Sequence, residues 1–261
     1  MMKRIMKMFT LMIILAMCLF FDEPYSYAAE IEYSGTSGNV TWTIDSDGLL
    51  TLSGSGDYEL VSVTDSDGNS YSRVPEWAKY HNEIKKALVN IKNVTSTMAM
   101  FDHCNNLTAV SFGADFDTTL VTNMRAMFAG CRSLLSIDLS NFDTSRVTTM
   151  EAMFSDCRSL TTLDVSGFDT SNVTEMDGMF GGCRGLTELD VSDFDTSQVR
   201  YMSSMFNGCS GITELDVSGF DTSNVTEMNL MFALCDGLTK LDLSSFNTTK
   251  LSWMRGMFHS C

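Results

Sequence analysis

The chain has 261 residues, 44% of them hydrophobic, and a formal net charge of −16. That is enough apolar material for one or two cores, and the sign of the charge opposes nucleic acid and anionic lipid surfaces as partners. Only two prolines occur, which excludes Pro-rich linkers, while 18 glycines among many Ser, Thr and Asp suit a chain with frequent turns.

Residues 1–29 read as a secretory signal. Lys3, Arg4 and Lys7 open it, and Met8 to Phe21 is a 14-residue apolar run, too short to span a membrane comfortably. Ser26-Tyr27-Ala28-Ala29 supplies small residues for cleavage after Ala28 or Ala29. A lipoprotein is the alternative, since Leu15-Ala16-Met17-Cys18 resembles a lipobox, with Met17 where a small residue belongs. No later segment is apolar enough to enter a membrane, so none is expected to insert after signal removal.

Residues 30–92 form a β-rich region. Val40–Ile44 alternates, Asp45-Ser-Asp-Gly48 is a turn and Leu49–Ser53 is a second strand, which together predict a hairpin. Val61–Thr64 and Asp65–Asn69 repeat the strand-then-turn pattern. The Gly of Asp65-Ser-Asp67-Gly68 stands fourth, where a calcium loop needs it sixth, so hydrogen bonding by Asp in the turn explains this stretch better than calcium. A short helix is expected over Glu76–Tyr80 after Pro75, and a strand over Ile84–Val89. A stack of repeats exposes an apolar end unless something covers it, and this region, with Trp42 and Trp77, is the expected cap.

Residues 93–261 repeat. Cys131, Cys157, Cys183, Cys209, Cys235 and Cys261 are each 26 residues apart, and Cys104 lies 27 before Cys131, which places one extra residue within Gly113–Asp115. A period of this length predicts a solenoid. Leu160-Thr-Thr-Leu163-Asp-Val165-Ser-Gly-Phe168 has leucine-rich-repeat spacing, so each coil is expected to hold a strand with Leu160, Leu163 and Val165 inward. A polar turn follows at Asp169–Asn172, then a second short strand at Val173–Met176, then a helical or 3-10 turn at Met176–Phe180. Stacking at strand spacing, roughly 4.8 Å, lines up rows of Met, Phe and Cys. The fold class is thus a leucine-rich-repeat-like solenoid behind an N-terminal β-rich cap.

The candidate binding residues are those left facing outward: Thr162, the row Asp138, Asp164, Asp190, Asp216 and Asp242, and Ser166, Ser192 and Ser218 beside it. The alternative for this row is a merely solvated face. The Met rows read as adaptable core. The Cys row reads as buried free thiols; the other reading, bridges between adjacent coils, fails for at least one of the seven cysteines after the signal. The Asp of F-D-T-S, Asp143, Asp169, Asp195 and Asp221, is replaced by Asn247 in one unit, which points to a turn rather than to a calcium ladder. No metal set, cofactor motif or catalytic constellation is present, and no enzyme activity is expected.

The unit M-x-x-M-F-x-x-C-x-x-L-T-x-L-D-V-S-x-F-D-T-S-x-V-T resembles the repeats of BspA-like leucine-rich-repeat surface proteins, and Gly38–Gly56 with Pro75-Glu-Trp resembles that family's N-terminal region. The resemblance implies a secreted or cell-surface protein that adheres to host, matrix or other cell-surface ligands. A structural spacer without a ligand is the alternative. The final Phe258-His-Ser-Cys261 stops in mid-coil, where the pattern calls for another strand, so the sequence is expected to be truncated, or else its last half-coil to fray.

Overall fold

The computed structural model describes residues 29–261. The signal segment up to Ala28, with Cys18, lies outside the described residues, as do both cleavage and lipid attachment.

Among the described residues seven strands are present: β1 (Ile31–Ser37), β2 (Val40–Asp45), β3 (Leu49–Ser55), β4 (Val61–Thr64), β5 (Ser70–Val74), β6 (Lys86–Lys92) and β7 (Ala109–Phe112). Alternation places Val40, Trp42 and Ile44 of β2 and Leu50 and Leu52 of β3 on one buried face. Strands β1, β2 and β3 are antiparallel neighbours, while β6 runs parallel to both β3 and β7. Since β7 belongs to the first repeat, one five-stranded sheet, in the order β1-β2-β3-β6-β7, carries the chain from the N-terminal region into the repeats. Strands β4 and β5 pair as a separate hairpin.

A five-residue 3-10 helix at Glu76–Tyr80 follows Pro75 and buries Trp77. The Trp77 indole donates to the Met100 carbonyl at 2.9 Å, and the Tyr58 hydroxyl donates to the Met98 carbonyl at 2.7 Å. Two large aromatic groups therefore cover the first coil while satisfying its backbone.

The repeats are joined chiefly through the M-x-x-M-F segment. Met150, Ala152, Phe154 and Asp156 donate their backbone N–H groups to Glu175, Asp177, Met179 and Gly181 of the next coil, at 2.6 to 3.0 Å. The residues between them bond locally instead: Met153 to Met150, Ser155 to Ala152 and Cys157 to Phe154. Each coil edge is thus a run of tight turns whose spare donors all point forward. Such turns demand a left-handed residue at their third position. Ala126, Ala152, Gly178, Ser204, Leu230 and Gly256 occupy one such row, with φ between 53° and 62°. Gly130, Asp156, Gly182, Gly208, Leu234 and Ser260 occupy a second. A residue with a β-carbon held there costs about 1–2 kcal/mol relative to right-handed backbone.

The first coil forms the expected strand at this phase, as β7, but the Leu-x-x-Leu segments of the later coils depart from expectation. Leu160, Leu163 and Val165 are buried and Thr162, Asp164 and Ser166 are exposed, as alternation predicts, but no strand forms there. The backbone bonds that join coils in this region are isolated ones, such as Thr239 to Thr213 at 3.1 Å. Strand pairing needs a run of such bonds. Likewise Val173–Met176 holds a single bridge, Glu175 with Thr149 on one side and Tyr201 on the other. Phenylalanine rings of adjacent coils stack at 5.5 to 6.0 Å, wider than strand spacing. The extra residue falls where β7 ends, next to Gly113: the bond from Phe116 to Gly113 matches that from Phe142 to Leu139.

One core runs from Val40 to Met257. The Met and Phe rows are buried within it up to Phe232, whereas Met254 and Phe258 of the last coil are half exposed. A row that sequence reading left unassigned proves structural. Thr144, Thr170, Thr196 and Thr222 of the D-T-S turns, and Thr118 of the equivalent Asp117-Thr-Thr turn, are buried, and each hydroxyl donates at 3.0 Å to a carbonyl 25 residues on. Thr118 also accepts the Asp143 N–H at 2.7 Å. Thr118→Val keeps the shape but leaves both groups of Asp143 without their partner. We expect a loss of about 1–3 kcal/mol, measured as a lower urea midpoint with an unchanged slope.

Candidate functional site

The candidate Asp/Ser row is brought together as expected, one residue per coil, but in loops rather than on strands. Each Asp caps its own turn. Oδ1 of Asp138, Asp164, Asp190, Asp216 and Asp242 accepts the N–H of the Ser two residues on, Ser140, Ser166, Ser192, Ser218 and Ser244, at 2.9 to 3.0 Å. Ser166 and Ser192 donate their hydroxyls to the same oxygen at 2.7 Å. These bonds favour the ionised form and hold all five carboxyls below their usual range. Among the described residues, nothing in the protein bonds their Oδ2 atoms. Thr162 is exposed one turn away, and Glu214 and Lys240, at the same place in later coils, form a parallel bridge.

The F-D-T-S aspartates behave as turn residues. Oδ1 of Asp143 and Asp169 accepts from Ser145 and Ser171, and Asn247 does the same for Thr249. Asn serves as well as Asp because the bond needs only a side-chain oxygen. In the Asp65 turn, Oδ1 accepts from the N–H groups of Asp67 and Asn69, and Oδ2 from the Asn69 amide. Among the described residues, no group of three His, Cys, Asp or Glu is arranged to hold a metal.

The six cysteines from Cys104 to Cys235 are buried and free, and Cys261 is free and exposed. Five of the buried ones, with Cys261, donate Sγ–H to a phenylalanine carbonyl of the coil before, as Cys183 does to Phe154 at 3.1 Å. Burial raises the pKa of the six buried cysteines, that of Cys157 to about 12 and that of Cys235 to about 11, so these stay as thiols and pack as small apolar groups.

The coil edge opposite in character, beside the Met rows, carries side chains that sequence reading passed over. The residue there varies from coil to coil: Asn123, Thr149, Glu175, Tyr201, Glu227 and Trp253 are bridged in one row, with Glu the one type that recurs. The signal was available as variation at a fixed phase of the repeat. Near its middle, Asp177 accepts the Ser203 N–H at 2.9 Å. Burial, with Glu151 and Glu227 nearby, raises the Asp177 pKa to about 6. Arg125 pairs with Glu151 at 2.6 Å and does not pair with Asp177.

This raised pKa sets a sign opposite to that of the Asp/Ser row. An acid with a folded pKa above its unfolded value costs stability once both states are ionised, and the cost vanishes below the unfolded value. Asp177→Asn keeps an oxygen for Ser203 and removes the charge. We expect the variant to melt higher than the parent above pH 6, by about 1 kcal/mol or less because the group is half exposed. The two should converge near pH 4. The Asp/Ser row shows the reverse, losing its contribution as pH falls below the ordinary carboxylate range. A thermal-melt series over pH checks both.

Solved structures similar to this chain include a leucine-rich repeat protein from Bacteroides ovatus, at 14% identity and a TM-score of 0.38, covering 88% of this chain and 76% of that one. Another leucine-rich repeat protein, from Eubacterium ventriosum, has 15% identity and a TM-score of 0.27, covering 87% and 95%. A leucine rich cell surface protein from Faecalibacterium prausnitzii has 15% identity and a TM-score of 0.23, covering 83% and 84%. A search of the curated proteins finds no match. The family model described as "Mycoplasma protein of unknown function, DUF285" matches residues 95–188 and 183–261, the whole run of stacked coils. Sharing that repeat through most of its length, the chain belongs to the DUF285 family.

Proposed function

We propose that this chain is a secreted or surface-exposed binding protein without catalytic activity, which meets an extracellular or cell-surface protein ligand along the Asp/Ser row. The observation that carries the reading is the half-used carboxylate. One oxygen of each Asp holds its own turn, and Oδ2 is left to the outside once per coil. Repetition turns a weak contact into a multivalent one, since neighbouring groups are already aligned and add little ordering cost. Partners rich in Lys and Arg suit such a row. Export rests on the basic and apolar pattern of residues 1–29 and on the resemblance to bacterial surface repeats.

A spacer that holds other modules away from a cell is the second reading. It is favoured by the continuous backbone ladder and single core, which make the coils one unit. The two separate in a binding measurement. Residues 30–261 are passed over immobilised matrix and cell-surface ligands beside the triple variant Asp164→Asn, Asp190→Asn, Asp216→Asn. Binding that falls by about tenfold or more in the variant supports the Asp/Ser row. Binding that is unchanged rejects it, and no binding at all favours the spacer.

A further inference from the structure

We infer that the groove between the free edges of strands β1 and β4 binds an extended, basic segment of a partner protein, which enters it as an added strand. All the residues involved belong to the N-terminal region, so the groove is separate from the Asp/Ser row.

Backbone edges line this groove. It measures about 420 Å³ and meets Val61, Ser62, Val63 and Thr64 of β4 in succession, together with Thr36 and Ser37 of β1. Successive side chains of a strand point to opposite faces, so a cavity that meets four residues in a row faces the strand's edge. Each strand has one ladder: β1 pairs with β2 and β4 with β5, and among the described residues no ladder joins β1 to β4. Antiparallel bonding alternates along a strand, which fixes the groups left over. Asp65 donates its N–H to Asn69, and the register is regular from Ser62 to Thr64, so Val63 faces β5 while Ser62 and Thr64 turn N–H and C=O outward. Ser37 and Val40 flank a two-residue turn as a bonded pair, so Thr36 likewise turns its groups to the free edge.

At one end a side chain already stands in for a strand. The Ser37 hydroxyl, 4% exposed, donates to the Glu59 carbonyl and accepts the Glu59 N–H, both at 3.1 Å. These are the two bonds that a neighbouring strand would make to Glu59. Among the described residues no side chain does the same for the backbone of Thr36, Ser62 or Thr64. The wall from Val61 to Thr64 runs about 13 Å, which is room for about four residues of extended chain.

The two walls select the occupant. A chain that bonds both needs both of its own edges free. A second copy presents β1 and β4 with β2 and β5 already attached, so either of them fits one wall at most. A flexible extended segment has both edges free and adds as a strand. Charge selects its side chains. The Glu76 and Lys79 side chains in the groove pair at 3.3 Å, and Lys79 Nζ lies 5.7 Å from the centre of the Trp42 ring. Glu59 beside them is exposed and has no ion pair among the described residues, in a chain of net charge −16. Lys or Arg on the segment is drawn to Glu59, and an acidic segment is repelled.

The test uses residues 30–261, fluorescence anisotropy and a fluorescein-labelled seven-residue peptide of alternating Val and Thr with Lys at each end. The parent is compared with Ser62→Pro, with Glu59→Lys and with the triple Asp-to-Asn variant of the Asp/Ser row. Proline removes a groove-facing N–H and none of the bonds between β4 and β5, so Ser62→Pro should melt close to the parent. Should it melt much lower, Glu59→Lys, a change to an exposed side chain, decides in its place. The expected result is affinity lower by about tenfold or more in Ser62→Pro and by about threefold or more in Glu59→Lys, with a change of about twofold or less in the Asp variant. The peptide should also slow amide hydrogen exchange at Thr36, Ser62 and Thr64. No binding by the parent, equal binding of the peptide N-methylated at alternate amides or carrying Glu in place of Lys, equal loss in the Asp variant, or exchange protection confined to residues outside β1 and β4 overturns the inference. Sedimentation that shows a parent dimer dissolved by Ser62→Pro also overturns it, in favour of a second copy.

Discussion

The structure depends on one constraint: backbone donors along the M-x-x-M-F edge have their acceptors in the next coil. Four such bonds join Met150–Asp156 to Glu175–Gly181, and the same set recurs at the following coil boundaries. A single coil has too few internal bonds and too little buried surface to stand alone, so stability is a property of neighbours. The Met and Phe rows follow from this geometry. Their side chains are directed inward by the tight turns, and stacking brings each against its equivalent in the next coil. The Cys thiols and the D-T-S threonines then satisfy carbonyls that the ladder leaves over, which is why polar Thr170 and its equivalents are tolerated at full burial.

The N-terminal region solves the problem at the start of the stack. Strand β6 receives β7 of the first coil, and Trp77 and Tyr58 close the remaining carbonyls of Met100 and Met98. In the first unit Thr97 stands where later units have Met124 and its equivalents. The core is thus narrower at the place where the aromatic cap enters, and among the described residues the Thr97 hydroxyl has no hydrogen-bond partner.

Two outer edges differ in what the repeat asks of them. Along the Asp/Ser row the same residue recurs because each Asp closes its own turn, so sameness there has a structural cause as well as a candidate binding role. Along the ladder edge the backbone makes the bonds and leaves the outward side chains free to vary. Identity from coil to coil therefore reports local hydrogen bonding, while difference reports freedom, as in the bridged row that holds Asn123, Tyr201 and Trp253.

Much was legible in the sequence by itself. Periodicity set the rows, since a repeat of 26 must stack equivalent residues; the hairpin of β2 and β3 followed from alternation and Asp-Gly turn chemistry; the D-T-S and Asp65 turns followed from the reach of a short carboxylate. The inward and outward assignment of Leu160–Ser166 also holds. What only the tertiary structure decided is where the coils bond to one another. The Leu pattern suggested strands, because burial alternates there, but alternation tests only which way side chains face and says nothing of backbone partners. Beyond β7 of the first coil the ladder formed instead at the Met segment, whose left-handed residues are invisible in a sequence that fills them with Ala, Ser and Leu as often as Gly. Hydrogen bonds between residues 25 apart are set by how whole coils seat on each other, and no local spacing encodes that choice.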